Sequence, residues 1–134
     1  MNNNFCVFIL TFGRPDKVFT LETIRDKGYT GPVRFVCSDD DITLPEYKKR
    51  FGDDVIVFNK DEIAKTFDIG DNFSDQRAVV YARNACFQLA KDAGFKYFMV
   101  LDDDYTDFRW AFTNKREYVT NKYVKNLDSV MLFL

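Results

Sequence analysis

Residues 97–104 read YFMVLDDD, a run of apolar and aromatic residues that stops at three consecutive aspartates. Such an uninterrupted run predicts a strand, and the similar run at 5–10 predicts a central strand that is buried on both faces of the sheet. Three further segments have the same character: 5–10 (FCVFIL), 33–37 (VRFVC) and 55–58 (VIVF). The sequence therefore predicts four short strands, the fourth of which ends in the acidic cluster Asp102, Asp103 and Asp104.

A helix is predicted between the first and second strands. Pro15 suits a first helical position, and Gly28 suits the residue that ends a helix. The apolar residues in between recur at helical spacing: Val18, Leu21 and Ile24. The turn at Gly31-Pro32 then precedes the second strand.

Two short helices are predicted from their capping residues. Thr43 and Glu46 resemble a capping box for a helix over residues 44–51. Asn59 and Glu62 repeat this spacing directly after the third strand and predict a second short helix.

The longest helix is predicted from about Asp75 to Ala93, where Gly94 ends it. Its expected apolar stripe has steps of three and four residues: Val79, Ala82, Cys86, Leu89 and Ala93. This stripe should pack against the sheet.

Strands that alternate with helices indicate a single α/β domain over residues 1–134, with a Rossmann-like, mostly parallel sheet and flanking helices. In such sheets ligands bind beyond the carboxyl ends of the strands. The polar clusters fall at those ends, at residues 11–14, 38–41 and 102–104. We therefore expect them to form one site.

The aspartate cluster suggests a cation. Adjacent carboxylates repel one another, and a site that keeps them ionised supplies a cation or hydrogen-bond donors. Their hard oxygens suit Mg²⁺ or Mn²⁺, which keep water ligands and bridge to substrate phosphates. In extended chain Asp102 and Asp104 can face one way and Asp103 the other. The alternative is a solvated acidic turn or a helix cap.

Other polar residues at the strand ends have two interpretations each. An acidic residue in 38–41 can accept hydrogen bonds from a ribose hydroxyl or a base N–H, or it can cap the next helix. Arg83 can reach a phosphate or tie down an aspartate of the cluster, or it can be an ordinary surface arginine. Arg14 has the same ambiguity, and Thr11 can contact the base or simply begin a turn.

Composition excludes several classes of protein. Apolar residues make up 46% and charged residues 30%, which is typical of a globular domain. The net charge of −2 gives no global attraction to nucleic acid or anionic lipid. No segment reaches the about 18 apolar residues of a membrane helix, and the N-terminus does not resemble a signal peptide.

The absence of histidine removes the usual general base and zinc ligand, so acid–base or metal chemistry must come from carboxylates. The odd number of cysteines suggests buried free thiols and a reducing, cytoplasmic setting. These are Cys6, Cys37 and Cys86.

Two blocks of the chain resemble family-2-type glycosyltransferases over roughly residues 5–105. Residues 11–15 (TFGRP) are similar to the T-x-N-R-P opening, with Gly13 in place of the usual Asn. The second block resembles the family's A-R-N…A…G…Y-[IF]…L-D-x-D pattern through Ala82-Arg83-Asn84, Ala90, Gly94, Tyr97-Phe98 and Leu101-Asp102-Asp103-Asp104.

The resemblance implies a GT-A fold and a nucleotide-diphosphate sugar donor, most often a UDP sugar, with Mn²⁺ or Mg²⁺. Asp102 would approach the ribose or a metal-bound water, and Asp104 would ligate the metal, so we predict Asp102 and Asp104 as the metal site. Arg83 would face the uracil or the diphosphate. The predicted donor contacts are Thr11, Arg14, Asp39, Asp40, Arg83, Asp102 and Asp103.

The residues after Asp104 do not identify the acceptor or the catalytic base. The family's acceptor half follows its D-x-D block, so the resemblance implies a chain truncated at its C-terminus. Glu117, and less strongly Asp107 and Asp128, are the candidate acids. The acceptor can be a saccharide, a protein or a modified nucleic acid. Residues 102–109 faintly resemble phage-type glycosyltransferases suspected of acting on modified DNA bases.

Two other functions fit the same residues. A nucleotidyltransferase would share the fold and acidic metal ligands, but no glycine-rich phosphate loop follows the first strand. A non-catalytic nucleotide-sugar-binding domain would use the donor site alone. Residues 126–134 predict a further helix with an apolar face that can dimerise or bind a partner.

Overall fold

The computed structural model of the chain describes residues 4–66 and 79–133. The strands are β1 (Phe5–Leu10), β2 (Val33–Ser38), β3 (Val55–Phe58) and β4 (Tyr97–Asp102). The helices are α1 (Phe19–Asp26), α2 (Leu44–Phe51), α3 (Lys60–Ala64), α4 (Val79–Asp92) and α5 (Leu127–Met131), and a 3₁₀ turn spans Gly52–Asp54.

The four strands form one parallel sheet in the order β3-β2-β1-β4. The predicted α/β, Rossmann-like architecture is confirmed. The chain moves outward from β1 to β2 and β3, and then returns to place β4 on the other side of β1, so the order reverses between β1 and β4. Leu10 of β1 lies opposite Asp102 of β4 in the register, which aligns the carboxyl ends of these two strands.

Alternation along β1 builds two cores, one on each face of the sheet. Phe5, Val7 and Ile9 pack with residues of α1 and α5. Cys6, Phe8 and Leu10 point to the opposite face and pack with residues of α4. All six residues of β1 are buried, as the continuous apolar run predicts.

One predicted helix start and one predicted helix cap are wrong. Helix α1 begins at Phe19 rather than near Pro15, because a turn closed by the Lys17 N–H and the Arg14 carbonyl at 3.0 Å precedes it. Helix α2 has the predicted bounds, but the Thr43 hydroxyl donates to the Asp41 carboxylate instead of capping the helix. The predicted cap at Asn59 is confirmed, since its side chain accepts the Glu62 N–H.

The predicted stripe of α4 is partly confirmed, because Cys86 is buried in the core and Ala82 and Leu89 pack against it. It is wrong at both ends, since Val79 is 51% exposed and Ala93 is exposed beyond the helix end. The buried residues that the pattern left out are Tyr81, Ala85 and Ala90. The predicted start at Asp75 lies outside the described residues.

The segment after β4 folds back along the face that carries α1. Antiparallel bridges join Arg109 to Tyr123 and Phe112 to Tyr118. Helix α5 follows, and the Asn126 side chain caps it by accepting the Ser129 N–H, as the sequence predicts for a helix in this region.

Burial raises the pKa of the three free thiols, Cys6, Cys37 and Cys86, to about 12, so they are inert as nucleophiles. Among residues 4–66 and 79–133, no helix has the length and apolar character needed to cross a bilayer.

We expect Ala85→Leu to destabilise the protein by about 1–3 kcal/mol, because Ala85 is fully buried between α4 and the sheet and has no room for a larger side chain. Ala93→Leu is the matched control and should change stability by less than about 0.5 kcal/mol. Guanidinium unfolding of both variants measures the difference. Equal losses would contradict the observed helix orientation.

Candidate functional site

A cleft of about 440 Å³ lies at the carboxyl ends of β1, β2 and β4. It includes the point where the strand order reverses, which is where open α/β sheets bind ligands. Its lining residues are Leu10, Thr11, Phe12, Arg14, Val36, Ser38, Phe58, Lys60, Val79, Tyr81, Ala82, Arg83, Asp102, Asp103 and Asp104. The first and third polar clusters of the sequence meet here, together with Ser38 from the second.

Asp103 is the buried member of the aspartate cluster, with 8% exposure. The Thr11 hydroxyl donates a hydrogen bond to Asp103 Oδ2 at 2.7 Å. Arg14 Nη1 lies 3.5 Å from Asp103 Oδ1. Both carboxylate oxygens therefore face protein groups, and Asp103 ties the end of β4 to the turn that follows β1.

Asp102 pairs with Arg83 of α4. Arg83 Nη2 lies 3.2 Å from Asp102 Oδ1 and 3.4 Å from Oδ2. The side chains are 52% and 39% exposed, so this ion pair is weak and open to exchange with a ligand. Of the predicted alternatives for Arg83, the structure shows the contact with an aspartate of the cluster.

Helix α1 holds the backbone of the cluster in place. The buried Thr20 hydroxyl donates to the Asp102 carbonyl at 2.5 Å and accepts the Tyr105 N–H at 2.9 Å. The Thr20 N–H donates to the Asp103 carbonyl at 3.2 Å. The first turn of α1 thus fixes the path of the chain where β4 ends.

Asp104 is exposed, and within the described part of the chain its carboxylate makes no hydrogen bond or ion pair. The three aspartates therefore have three environments: Asp103 is buried and fully bonded, Asp102 has one exchangeable partner, and Asp104 is free to bind a ligand.

The carboxylates in the cleft suit a divalent cation that takes most of its ligands from water and from a substrate. The described ranges contain no group of three or more acidic, cysteine or histidine side chains that could hold a metal alone. Mg²⁺ is commonly bound by one or two carboxylates together with substrate phosphates and water. Asp104 and Asp102 fit that pattern, and their role as metal ligands stays a prediction.

The end of β2 is organised around Lys60, which is 8% exposed and lines the cleft. Lys60 Nζ donates to Asp40 Oδ2 at 3.1 Å, and the Ser38 hydroxyl donates to Asp40 Oδ1 at 2.5 Å. The hydrogen bond from Ser38, more than that from Lys60, lowers the pKa of Asp40. Asp39 accepts the Lys60 N–H at 3.3 Å.

Neither Asp39 nor Asp40 lines the cleft, whereas Ser38 and Lys60 do. Asp39 and Asp40 bind Lys60, the first residue of α3, so neither caps the helix from residue 44 that the alternative concerned. Asp41 is the member of the cluster that bonds there, since it accepts the Thr43 N–H at 2.8 Å directly before α2. A contact between Asp39 or Asp40 and a nucleoside stays a prediction.

The turn after β1 depends on Gly13 and on Asp41. The Gly13 N–H donates to Asp41 Oδ2 at 2.8 Å, which joins this turn to the loop after β2. Gly13 has φ +68°, and a Cβ added to this residue would meet no other atom within 4 Å. Asn tolerates the left-handed region better than other side chains. The replacement of the usual Asn by Gly at this position therefore preserves the backbone conformation.

The candidate acids for the catalytic base lie outside the cleft. Asp107 pairs with Arg109 at 3.0 Å. Asp128 accepts hydrogen bonds from Thr30, beyond the opposite end of α1. Glu117 is exposed near the bridge between Phe112 and Tyr118. Among the described residues, only the aspartate cluster supplies carboxylates to the cleft.

Sequence reasoning missed three residues that shape the site: Thr20, Tyr47 and Lys60. Thr20 and Tyr47 lie within helices, where no pattern separates them from ordinary packing residues. Lys60 follows a strand end, a position that could have suggested a ligand contact. Asp41 belongs to the predicted 38–41 cluster, but it supports the turn instead of facing the cleft.

This fold and cleft define the class: an α/β, Rossmann-like domain of the glycosyltransferase type, with an acidic cluster at the reversal of strand order. The chain belongs to the TET-associated glycosyltransferase family, whose model matches residues 5–134. Comparisons with curated proteins and with solved structures gave no significant match. Membership indicates glycosyltransferase activity and a nucleotide-sugar donor.

Gly13→Asn should retain nearly full stability, whereas Gly13→Val should lose about 1–2 kcal/mol, because the left-handed conformation strains a β-branched residue. Thermal unfolding measures both variants. If the two lose equal stability, the backbone conformation does not explain the replacement of Asn by Gly.

Ser38→Ala should raise the pKa of Asp40 towards its ordinary value, because the strongest donor to that carboxylate is lost. A lowered pKa in the folded state stabilises the protein above the pKa of the unfolded chain, and this stabilisation disappears as the pH falls through the folded pKa. The stability difference from wild type should therefore be largest near neutral pH and shrink in acid. Carboxyl NMR titration and unfolding between pH 7 and 2 test this, and an unchanged Asp40 pKa would contradict it.

Proposed function

We propose that this chain binds a UDP sugar together with Mn²⁺ or Mg²⁺ and transfers the sugar to a hydroxyl group of an acceptor. One observation carries the proposal: the carboxylate of Asp104, which has no partner among residues 4–66 and 79–133, and the exchangeable carboxylate of Asp102 share a cleft with three cationic side chains. Those side chains are Arg14, Lys60 and Arg83. The cationic side chains suit a diphosphate, and the carboxylates suit the metal cation that binds next to it.

The reaction forms a bond between the acceptor oxygen and the anomeric carbon of the sugar and breaks the bond from that carbon to the diphosphate. UDP leaves, and the acceptor hydroxyl loses its proton. A bound divalent cation would stabilise the negative charge that gathers on the leaving diphosphate. Asp104 and Asp102 would hold this cation.

The basic side chains have distinct tasks in this proposal. Arg83 is half exposed and can turn from Asp102 to a phosphate oxygen, for which its guanidinium is well suited. Arg14 is 41% exposed and keeps its contact with Asp103 while facing the cleft. Thr11 is saturated by protein partners, so its contact with the nucleoside would use backbone atoms or the methyl group.

For the acceptor we favour a modified nucleic acid over a saccharide or a protein. The family's name associates it with TET, and residues 102–109 resemble phage-type glycosyltransferases suspected of acting on modified DNA bases. The acceptor would then carry a hydroxyl group on a nucleobase. The catalytic base that removes the proton of this hydroxyl would come from the acceptor side or from a partner.

Calorimetric titration with UDP, with and without Mn²⁺, tests the donor site. We expect Mn²⁺ to raise the affinity for UDP. In the presence of Mn²⁺, Asp104→Ala should lower this affinity about tenfold or more. Asp102→Ala should weaken binding as well. Asp53→Ala is the matched control, because Asp53 is an exposed aspartate at the opposite edge of the sheet.

Each outcome of that titration has a definite meaning. Absence of metal-dependent UDP binding by the wild type would overturn the proposal. Tighter binding of nucleoside triphosphates than of UDP would favour a nucleotidyltransferase. Incubation with UDP sugars and an oligonucleotide that contains a 5-hydroxymethyl pyrimidine, read by mass spectrometry, tests the acceptor. Donor binding without transfer to any acceptor class would favour a non-catalytic domain.

A further inference from the structure

Tyr47 is a fully buried residue of α2 that does not line the cleft, but its hydroxyl bonds two residues that do, Thr11 and Arg14. Its ring packs near Phe51, with centroids 6.4 Å apart. Its hydroxyl lies 2.7 Å from Thr11 Oγ1 and accepts the Arg14 N–H at 2.8 Å. Among the described residues, Tyr47 is the one whose hydroxyl joins Thr11 and Arg14 of the turn after β1.

The direction of the hydrogen bonds follows from the acceptor at the far end. A carboxylate can only accept, so the Thr11 hydroxyl gives its single proton to Asp103. The Thr11 oxygen must then accept from the Tyr47 hydroxyl, because the only Thr11 hydroxyl proton is already donated to Asp103. The chain of donors runs in one direction, from the Arg14 amide through Tyr47 and Thr11 to Asp103.

This chain joins three segments that the sequence keeps far apart: the turn after β1, helix α2 and the end of β4. Its last member, Asp103, lies between Asp102 and Asp104, so its position limits where both neighbours can be. Its first member, Arg14, lines the cleft and contacts the other oxygen of Asp103. The Tyr47 hydroxyl therefore acts on the donor site without facing it.

We infer that Tyr47 is a positioning residue for the donor site, which orients the 11–14 turn and Asp103 through its hydroxyl. The inference rests on the proposed donor function for its effect on binding. Without the hydroxyl, the Arg14 N–H loses its acceptor, and the Thr11 oxygen loses its donor. The shape of the aromatic ring is kept in Tyr47→Phe, so packing is retained.

Tyr29→Phe is the matched control. Tyr29 is 1% exposed, and its hydroxyl donates to the Pro32 carbonyl at 2.8 Å, away from the cleft. Both variants remove one buried phenol hydroxyl and should lose similar thermal stability. We expect Tyr47→Phe to lower the affinity for UDP with Mn²⁺ about tenfold, and Tyr29→Phe to change it by less than about twofold.

A double-mutant cycle tests whether the hydroxyls act as one unit. Thr11→Val removes the next member of the chain, and the double variant should bind UDP no more weakly than the weaker single variant. Additive losses would overturn the inference, as would equal UDP affinities of Tyr47→Phe and Tyr29→Phe.

Hydrogen–deuterium exchange separates this inference from the proposed function, because it needs no ligand. The Arg14 amide should exchange faster in Tyr47→Phe than in wild type and should be unchanged in Tyr29→Phe. Unaltered exchange in Tyr47→Phe would overturn the inference. If the wild type does not bind UDP, the proposed function fails, and faster Arg14 exchange would still support Tyr47 as the residue that positions the turn.

Discussion

The repulsion between three adjacent carboxylates is the constraint on which this site depends. Like charges held close together repel one another unless opposite charges, hydrogen-bond donors or solvent compensate each of them. Within the part of the chain that the structure describes, Asp103 contacts a hydroxyl and a guanidinium, Asp102 contacts one exposed guanidinium, and Asp104 contacts no polar side chain. Among these residues the three carboxylates therefore differ in how many protein partners each has.

The rest of the structure supplies what this compensation needs. The parallel register places the end of β1 beside the end of β4, so that Thr11 and Arg14 can reach Asp103. Helix α4 brings Arg83, because its small buried residues allow a close approach to the sheet. Helix α1 secures the backbone through Thr20. The two cores on opposite faces of β1 therefore contribute to the same site at its end.

The fold was largely predictable from residue patterns, because buried parallel strands are continuous apolar runs that few other elements resemble. The strand bounds at 5–10 and 55–58 are identical in sequence and structure. The orientation of α4 was predictable only in part, since periodicity included Cys86 and Leu89 but favoured the exposed Val79 over the buried Ala85 and Ala90. The predicted parallel topology indicated that the polar clusters at the strand ends lie close together. It did not indicate which residues contact each carboxylate. Tyr47 and Lys60 enter through contacts distant in sequence, which no local pattern encodes.

The pairing of Arg83 with Asp102 has a consequence for how the cleft responds to ions. A guanidinium on a helix serves as a resident counter-ion, so the acidic cluster is partly neutralised before any ligand arrives. A cation that takes over Asp102 would release this guanidinium beside the position where phosphate charge accumulates. Binding then exchanges partners among existing charges and adds little net charge to the cleft. Such a site should depend less on ionic strength than its number of formal charges suggests.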